Sequence, residues 1–184
     1  MTKDHSLVLG GGCFWCLDAS FQLLPGVTRV TCGYAGGHVE SPSYEQVYTD
    51  KTGHAEVVKI DCDPARITLE QVLEFFWRVH NPTQADGQGA DLGTRYRSVI
   101  YYADSAQKAA AERSRAAEQA NLSAPITTEI APLVKFYPAE EYHQNYFSQH
   151  PERAYCAAVI KPKLQKLQAA LAKPGVRDQK SEVR

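Results

Sequence analysis

Gly10-Gly11-Gly12-Cys13-Phe14-Trp15-Cys16 is the stretch on which the reading of this 184-residue chain turns. Before it, residues 6–9 (Ser-Leu-Val-Leu) have the length and apolarity of a short buried strand. After it, Phe14, Leu17, Phe21 and Leu24 recur at spacings of three and four, the period of a helix with one buried face, and Pro25-Gly26 stops it. Three glycines therefore hand a strand to a helix, and a cysteine stands at the handover.

Working outward, residues 27–33 and 54–61 read as strands and residues 98–102 as another. Thr68-Leu-Glu-Gln71 is a capping box opening a helix with an apolar stripe of Leu69, Val72, Leu73 and Phe76, ended by Asn81-Pro82. Asp104 caps an alanine-rich helix reaching about Asn121, with Gln107 three residues on. Residues 127–131 read as the last strand, residues 140–150 as a polar helix and residues 160–172 as a basic one. The expected fold is α+β: a two-layer α/β sandwich with a ferredoxin-like core, a mixed sheet and long active-site loops. One catalytic domain should cover residues 1–172, with a charged, disordered tail at 173–184.

Twenty Lys+Arg against twenty-one Asp+Glu leave no net field to draw the chain to nucleic acid or anionic lipid. No apolar run approaches a membrane span, and the first residues lack a secretory core, which points to the cytoplasm. There the five cysteines should be free thiols. Two irregular stretches, 34–53 and 82–97, are too long and too rich in tyrosine to be idle connections; they are expected to wall a site.

Cys13, at the start of a helix, meets unpaired N–H groups and the positive end of the helix dipole, both of which favour the thiolate. The glycines would let a substrate approach the backbone. A packing cysteine at a helix start remains the plain alternative. A phosphate cradle is disfavoured, because Trp15 occupies the position where a dinucleotide fingerprint needs its last glycine. Cys13 and Cys16 form a C-x-x-C pair: a redox dithiol, or half a zinc site that lacks a second half. On the strand at 54–61, Glu56 shares a face with Val58 and Ile60, so burial would raise its pKa and make it a general acid. The alternative is a glutamate turned outward at a strand end. A cysteine hydrolase or acyltransferase with Cys13 and His54, or a zinc-binding or redox-sensing module, remain rival functions.

The stretch around Cys13 resembles the signature of the peptide-methionine sulfoxide reductase A family. The likeness continues in Gly33-Tyr-Ala-Gly-Gly37, Pro42-Ser-Tyr44, Thr52-Gly-His-Ala-Glu56, Gly93-Thr-Arg-Tyr-Arg-Ser98, Thr128-Glu-Ile130, Phe136-Tyr-Pro-Ala-Glu140 and Tyr142-His-Gln-Asn-Tyr146. These matches follow the family's order and cover about residues 7 to 165. The resemblance implies that Cys13 attacks the sulfoxide sulfur, that Phe14 and Trp15 line the pocket for the methyl group, and that Glu56 protonates the oxygen. It further implies that Tyr44 and Tyr96 hydrogen-bond the oxygen and that Asp91 orders the site. No cofactor or metal is implied. The resulting sulfenic acid would condense with a second thiol, Cys16 or Cys156, and the disulfide would be reduced by thioredoxin or a similar dithiol. A relay from Cys13–Cys16 to Cys156 and on to the surface is one order of events. The implied substrates are the S epimer, in oxidised proteins or peptides and as free methionine sulfoxide; a monomer is the default expectation. Asp18 stands where the family usually has glutamate; Cys32 and Cys62 read as packing cysteines, and His143 and Gln144 as pocket scaffolding.

Overall fold

Apolar residues on both sides of the glycine turn find the same core. The computed structural model describes residues 6–172. In chain order it begins β1 (Ser6–Gly10), α1 (Phe14–Phe21), β2 (Val27–Ala35), α2 (Tyr44–Tyr48), β3 (Ala55–Cys62) and α3 (Leu69–Val79). A two-stranded hairpin of β4 (Gly87–Gln88) and β5 (Asp91–Leu92) then leads through a 3-10 turn, Thr94–Tyr96, to β6 (Val99–Tyr102) and α4 (Ser105–Gln119). The last elements are β7 (Glu129–Pro132), β8 (Phe136–Pro138), α5 (Tyr146–Gln149) and α6 (Lys161–Leu171).

The main sheet has the order β7-β6-β1-β3-β2-β8. Its middle four strands, β6-β1-β3-β2, are antiparallel and with α1 and α3 make a β-α-β-β-α-β unit, the ferredoxin-like core expected. β7 runs parallel to β6, so the sheet is mixed. Alternation along β3 decides which side each residue serves. Val58 and Ile60 join Phe14, Leu17 and Phe21 of α1 and Leu73 and Phe76 of α3 in the main core, while Ala55 and Val57 pack on the other face with Val8, Val99 and Tyr101. Glu56 shares the helix-side face. Complete burial of a Leu or Phe there contributes about 1.5–3 kcal/mol. In α4 only Ala110 and Ala111 are buried, small residues that let this helix lie close to α3.

Three expectations need correction. A further strand, β8, follows residues 127–131; only three residues long, it gives no alternation to detect, yet it closes the edge of β2 from Gly33 to Ala35. The span 140–150 is not one helix. Gln144 is extended because its side chain reaches the sheet, accepting from the Cys32 N–H (2.8 Å) and donating to the carbonyls of Cys32 (3.0 Å) and Ala139 (3.1 Å). Asn145 is left-handed (φ 51°), so a 3-10 turn, Glu141–His143, and the short α5 flank a break. Within the stretch expected to be irregular, α2 forms behind a full Ser43–Gln46 capping box. The tail from Lys173 lies outside the described residues.

At Thr68 both capping-box hydrogen bonds form: its hydroxyl accepts from the Gln71 N–H (3.2 Å), and its own N–H donates to the Gln71 side chain (2.9 Å). Thr68→Ala is expected to lower stability by about 1 kcal/mol, measured as a reduced urea midpoint at unchanged slope.

Candidate active site

Cys13 is the N-cap of α1, in extended conformation, at the foot of a turn tied to two other elements. The Gly12 N–H donates to the Tyr96 carbonyl (3.1 Å), which joins the turn to the 3-10 turn that carries Tyr96. Gly12 has φ +93°, and a Cβ there would meet Gln88 at 2.8 Å; one on Gly11 would meet the His80 ring at 2.9 Å. These glycines thus serve close packing of the turn against the protein itself, where substrate access to the backbone was expected. His80 is held neutral beneath them: Nδ1 donates to the Phe76 carbonyl (2.8 Å), and Nε2 accepts from Ser98 (2.7 Å), whose hydroxyl also meets that of Thr128 (2.7 Å). Burial pushes its pKa down to about 4.

One residue into α1, the Phe14 N–H donates to Oε2 of Glu56 (3.0 Å). Glu56 is 2% exposed. Desolvation raises its pKa to about 8, with Asp91 and Cys16 adding to the rise, while the Phe14 N–H and the Arg95 charge oppose it. The carboxyl is therefore protonated at neutral pH and faces the cysteine, as its strand register predicts. Tyr44 and Tyr96 feel both Glu56 and Cys13; burial holds Tyr44 well above the ordinary phenol and Tyr96 up to about 12, so both keep their protons.

The thiols differ from expectation. Desolvation, a hydrogen bond shared with Cys16 and the nearby Glu56 raise the Cys13 pKa well above that of a free thiol, outweighing the helix start. Cys16 is brought down to about 7, chiefly by the hydrogen bond from Cys13. The two sulfurs titrate as a pair that releases its first proton near neutrality. Cys16, Cys156, Ile160 and Leu164 share a buried cluster that Cys13, Trp15 and Tyr155 pack against. Cys156 is fully buried, at the start of a π-helical turn, Cys156–Ile160. All five cysteines are free thiols. Cys32 lies under α1 with its thiol toward the Phe14 carbonyl (3.7 Å); Cys62 lies at the end of β3, its pKa pushed up to about 11 by burial.

Of the other expected residues, Trp15 stacks flat on Tyr146 (centroids 3.8 Å, 6° between planes) and its indole donates to Nδ1 of His143 (3.2 Å). Phe14 is buried against Tyr34 and His143, a floor to the site rather than an open wall. Asp91 reaches the site through Tyr155, whose hydroxyl donates to Oδ2 (2.6 Å) and lies 3.5 Å from the Cys16 sulfur. Asp18 is buried but points away, accepting from the Gln22 side chain (2.7 Å), with its pKa raised to about 6 by desolvation. His54 is no base for Cys13: Nδ1 accepts from the Gly37 N–H (3.0 Å) and Nε2 donates to the Val39 carbonyl (2.7 Å). Among the described residues no group of three or more His, Cys, Asp or Glu is placed to hold a metal ion.

Sequence reasoning missed Tyr155, Glu140 and Arg95. Tyr155 adjoins Cys156 and could have been suspected from that alone. Glu140 accepts from the Tyr34 hydroxyl (3.0 Å) and the Tyr44 N–H (3.1 Å), a bridge between β2 and α2 that no local pattern announces.

The Glu56 proton has a stability consequence. Native Glu56 keeps it up to about pH 8, whereas the ordinary carboxyl releases it at about 4.5. Between those values the folded state binds more protons, so stability falls as pH rises. Glu56→Gln should flatten this decline by up to about 1.4 kcal/mol per pH unit. Parallel urea curves of both proteins from pH 5 to 8 measure it, with equal slopes refuting the raised pKa.

The comparisons with known proteins concern the chain as a whole. Residues 5–174 match the family model described as peptide methionine sulfoxide reductase. A protein of Polynucleobacter asymbioticus named peptide methionine sulfoxide reductase MsrA is 52% identical over 163 residues, 88% of this chain and 86% of its own. Mxr1 from Saccharomyces cerevisiae, solved in reduced form, superposes with a TM-score of 0.80 at 33% identity, over 84% of this chain and 90% of that one. The same yeast protein in complex with Trx2 matches with a TM-score of 0.57 at 26% identity, over 78% of this chain and 85% of that one. By this family match and these relatives, the chain belongs to the peptide methionine sulfoxide reductase family, enzymes that reduce methionine sulfoxide to methionine.

Proposed function

We propose that the enzyme reduces the S epimer of methionine sulfoxide with Cys13 as nucleophile and Glu56 as proton donor. The observation that carries this reading is the buried Glu56 carboxyl, still protonated at neutral pH and hydrogen-bonded by the residue next to Cys13. A general acid works best when its pKa lies near the working pH, and about 8 meets that condition.

Loss of a proton from the Cys13–Cys16 pair supplies the attacking thiolate. Its sulfur attacks the sulfoxide sulfur as Glu56 gives its proton to the oxygen, with the hydroxyls of Tyr44 and Tyr96 as hydrogen-bond donors to the same oxygen. Trp15, held by His143 and Tyr146, packs against the methyl group over the Phe14 floor. Asp91 orders this wall through Tyr155. Methionine leaves, its sulfur reduced by two electrons, and the oxygen remains on Cys13 as a sulfenic acid. A thiol then displaces that oxygen as water and forms a disulfide.

Cys16 suits the first displacement. It lies one helical turn from Cys13, a spacing compatible with the disulfide Cα window of about 4.4–6.8 Å. Cys156, packed in the same cluster, then attacks Cys16, freeing Cys13 and moving the disulfide to Cys16–Cys156. An external dithiol reduces it; the yeast relative solved with Trx2 makes thioredoxin the natural choice. Free and peptide-bound sulfoxide are both taken as substrates. Five free thiols suit a reducing cytoplasm, and the enzyme is taken to act as a monomer. Acyl transfer, the rival chemistry, lacks its base, since both His54 nitrogens are bound to backbone.

Supplied with dithiothreitol, the protein should turn over methionine S-sulfoxide and leave the R epimer unchanged. Cys13→Ser should abolish methionine release; turnover of R alone, or none, refutes the reading. With thioredoxin as reductant, Cys16→Ser should slow turnover by tenfold or more (roughly 1.4 kcal/mol) and remove the Cys16–Cys156 disulfide from mass maps. An unchanged rate in Cys16→Ser would instead make Cys156 the direct resolver.

A further inference from the structure

Arg95 is buried beside the site, yet the sequence reading gives it no role. It is 8% exposed. Its guanidinium lies over two aromatic rings, 4.4 Å from the centroid of Tyr48 and 4.4 Å from that of Tyr96. Asp50 fixes it there: the Arg95 N–H donates to Oδ1 (2.9 Å), and the guanidinium pairs with Oδ2. The Thr94 hydroxyl also donates to Oδ1 (3.3 Å). Gly93 leaves room for this carboxylate, since a Cβ there would stand 2.5 Å from Oδ2. The arginine Nε is buried with no partner among the described residues, so its hydrogen-bonding capacity is not spent on Asp50. Asp50 is the more exposed of the two, with 30% of its side chain accessible against 10% for Arg95, which leaves the cation on the inner side.

Resting on the reading of Glu56 as proton donor, we propose that Arg95 is a positioning residue for the reduction. It lies over the Tyr96 ring, and it brings a fixed positive charge to the 3-10 turn that packs against β3, the strand of Glu56. A planar cation held over aromatic rings and by an ion pair suits this task.

The groups coupled to Glu56 come from several elements. Cys13, Cys16 and the Phe14 N–H belong to the turn and α1, Tyr34 and Cys32 to β2, Tyr44 to α2, Asp91 to β5, and Arg95 and Tyr96 to the 3-10 turn. Asp91 and Cys16 raise its affinity for the proton, on top of desolvation, whereas Arg95 lowers it. Without the cation, Glu56 would become a weaker acid and a slower donor at neutral pH.

The test reads Glu56 directly: infrared titration of its carboxyl C=O band, identified as the band missing in Glu56→Gln. Arg95→Gln should raise the midpoint by about one pH unit, the low end for loss of a nearby opposite charge. Arg95→Lys, which keeps the charge, should leave it close to that of the parent. Asp50→Asn should lower it, because the cation is then uncompensated. An unmoved midpoint in folded Arg95→Gln overturns the proposal. If circular dichroism shows that variant unfolded, Asp50→Asn decides, and an unmoved or raised midpoint overturns it. Because the titration needs no turnover, absence of sulfoxide reduction would refute the reductase mechanism separately, leaving this result to stand or fall on its own.

Discussion

The hydrogen bond from the Phe14 N–H to Glu56 is the contact around which the rest of the site is arranged. It joins the first turn of α1 to the middle of the sheet across 42 residues of sequence, and sets Cys13 beside the Glu56 carboxyl. One N–H is a weak partner for a fully desolvated carboxylate, since burial of an unpaired ion costs several kcal/mol. Two or three such donors would hold the group ionised. With one, and with Asp91 and Cys16 nearby, the neutral acid wins. The surrounding geometry protects that balance: the glycine turn brings Cys13 in without side chains of its own, and His80, engaged at both nitrogens, adds no charge beneath it.

The same environment explains why Cys13 does not behave as its place at a helix start suggests. The helix dipole is equivalent to roughly half a charge and acts over the first turn. Its favourable effect is set against loss of water around the sulfur and against repulsion from Glu56 once that group ionises, and the desolvation is larger. Sharing one proton between Cys13 and Cys16 resolves the conflict. The pair can supply a thiolate near neutral pH although an isolated Cys13 could not, so Cys16 contributes before any disulfide forms.

Much of this was legible in the sequence because the signals were local. The glycine turn, the period of α1, the capping box at Thr68, the cap at Asp104 and the alternation that turns Glu56 inward each need only a few neighbouring residues. What was not legible depends on distant partners. β8 forms because the edge of β2 is open to it, and the helix expected across 140–150 breaks because Gln144 does better as a clamp on that edge. Arg95 looked like any charged loop residue, and only the meeting of Asp50, Tyr48 and Tyr96 reveals it as a buried cation. The capping box at Ser43 is different: its residues were in plain view, within a stretch whose glycines suggested no helix.

The position of Cys156 limits how the thiol chemistry can end. This residue is fully buried in a cluster with Cys16, Ile160 and Leu164, closed to an external reductant. The backbone there is a π-helical turn, a form rare in proteins and frequent at functional sites, continuing directly into α6. On the proposed route the second disulfide forms in this dry cluster, beside the Tyr155 hydroxyl that donates to Asp91 and lies 3.5 Å from the Cys16 sulfur, so an external dithiol would reach it only if the cluster opens.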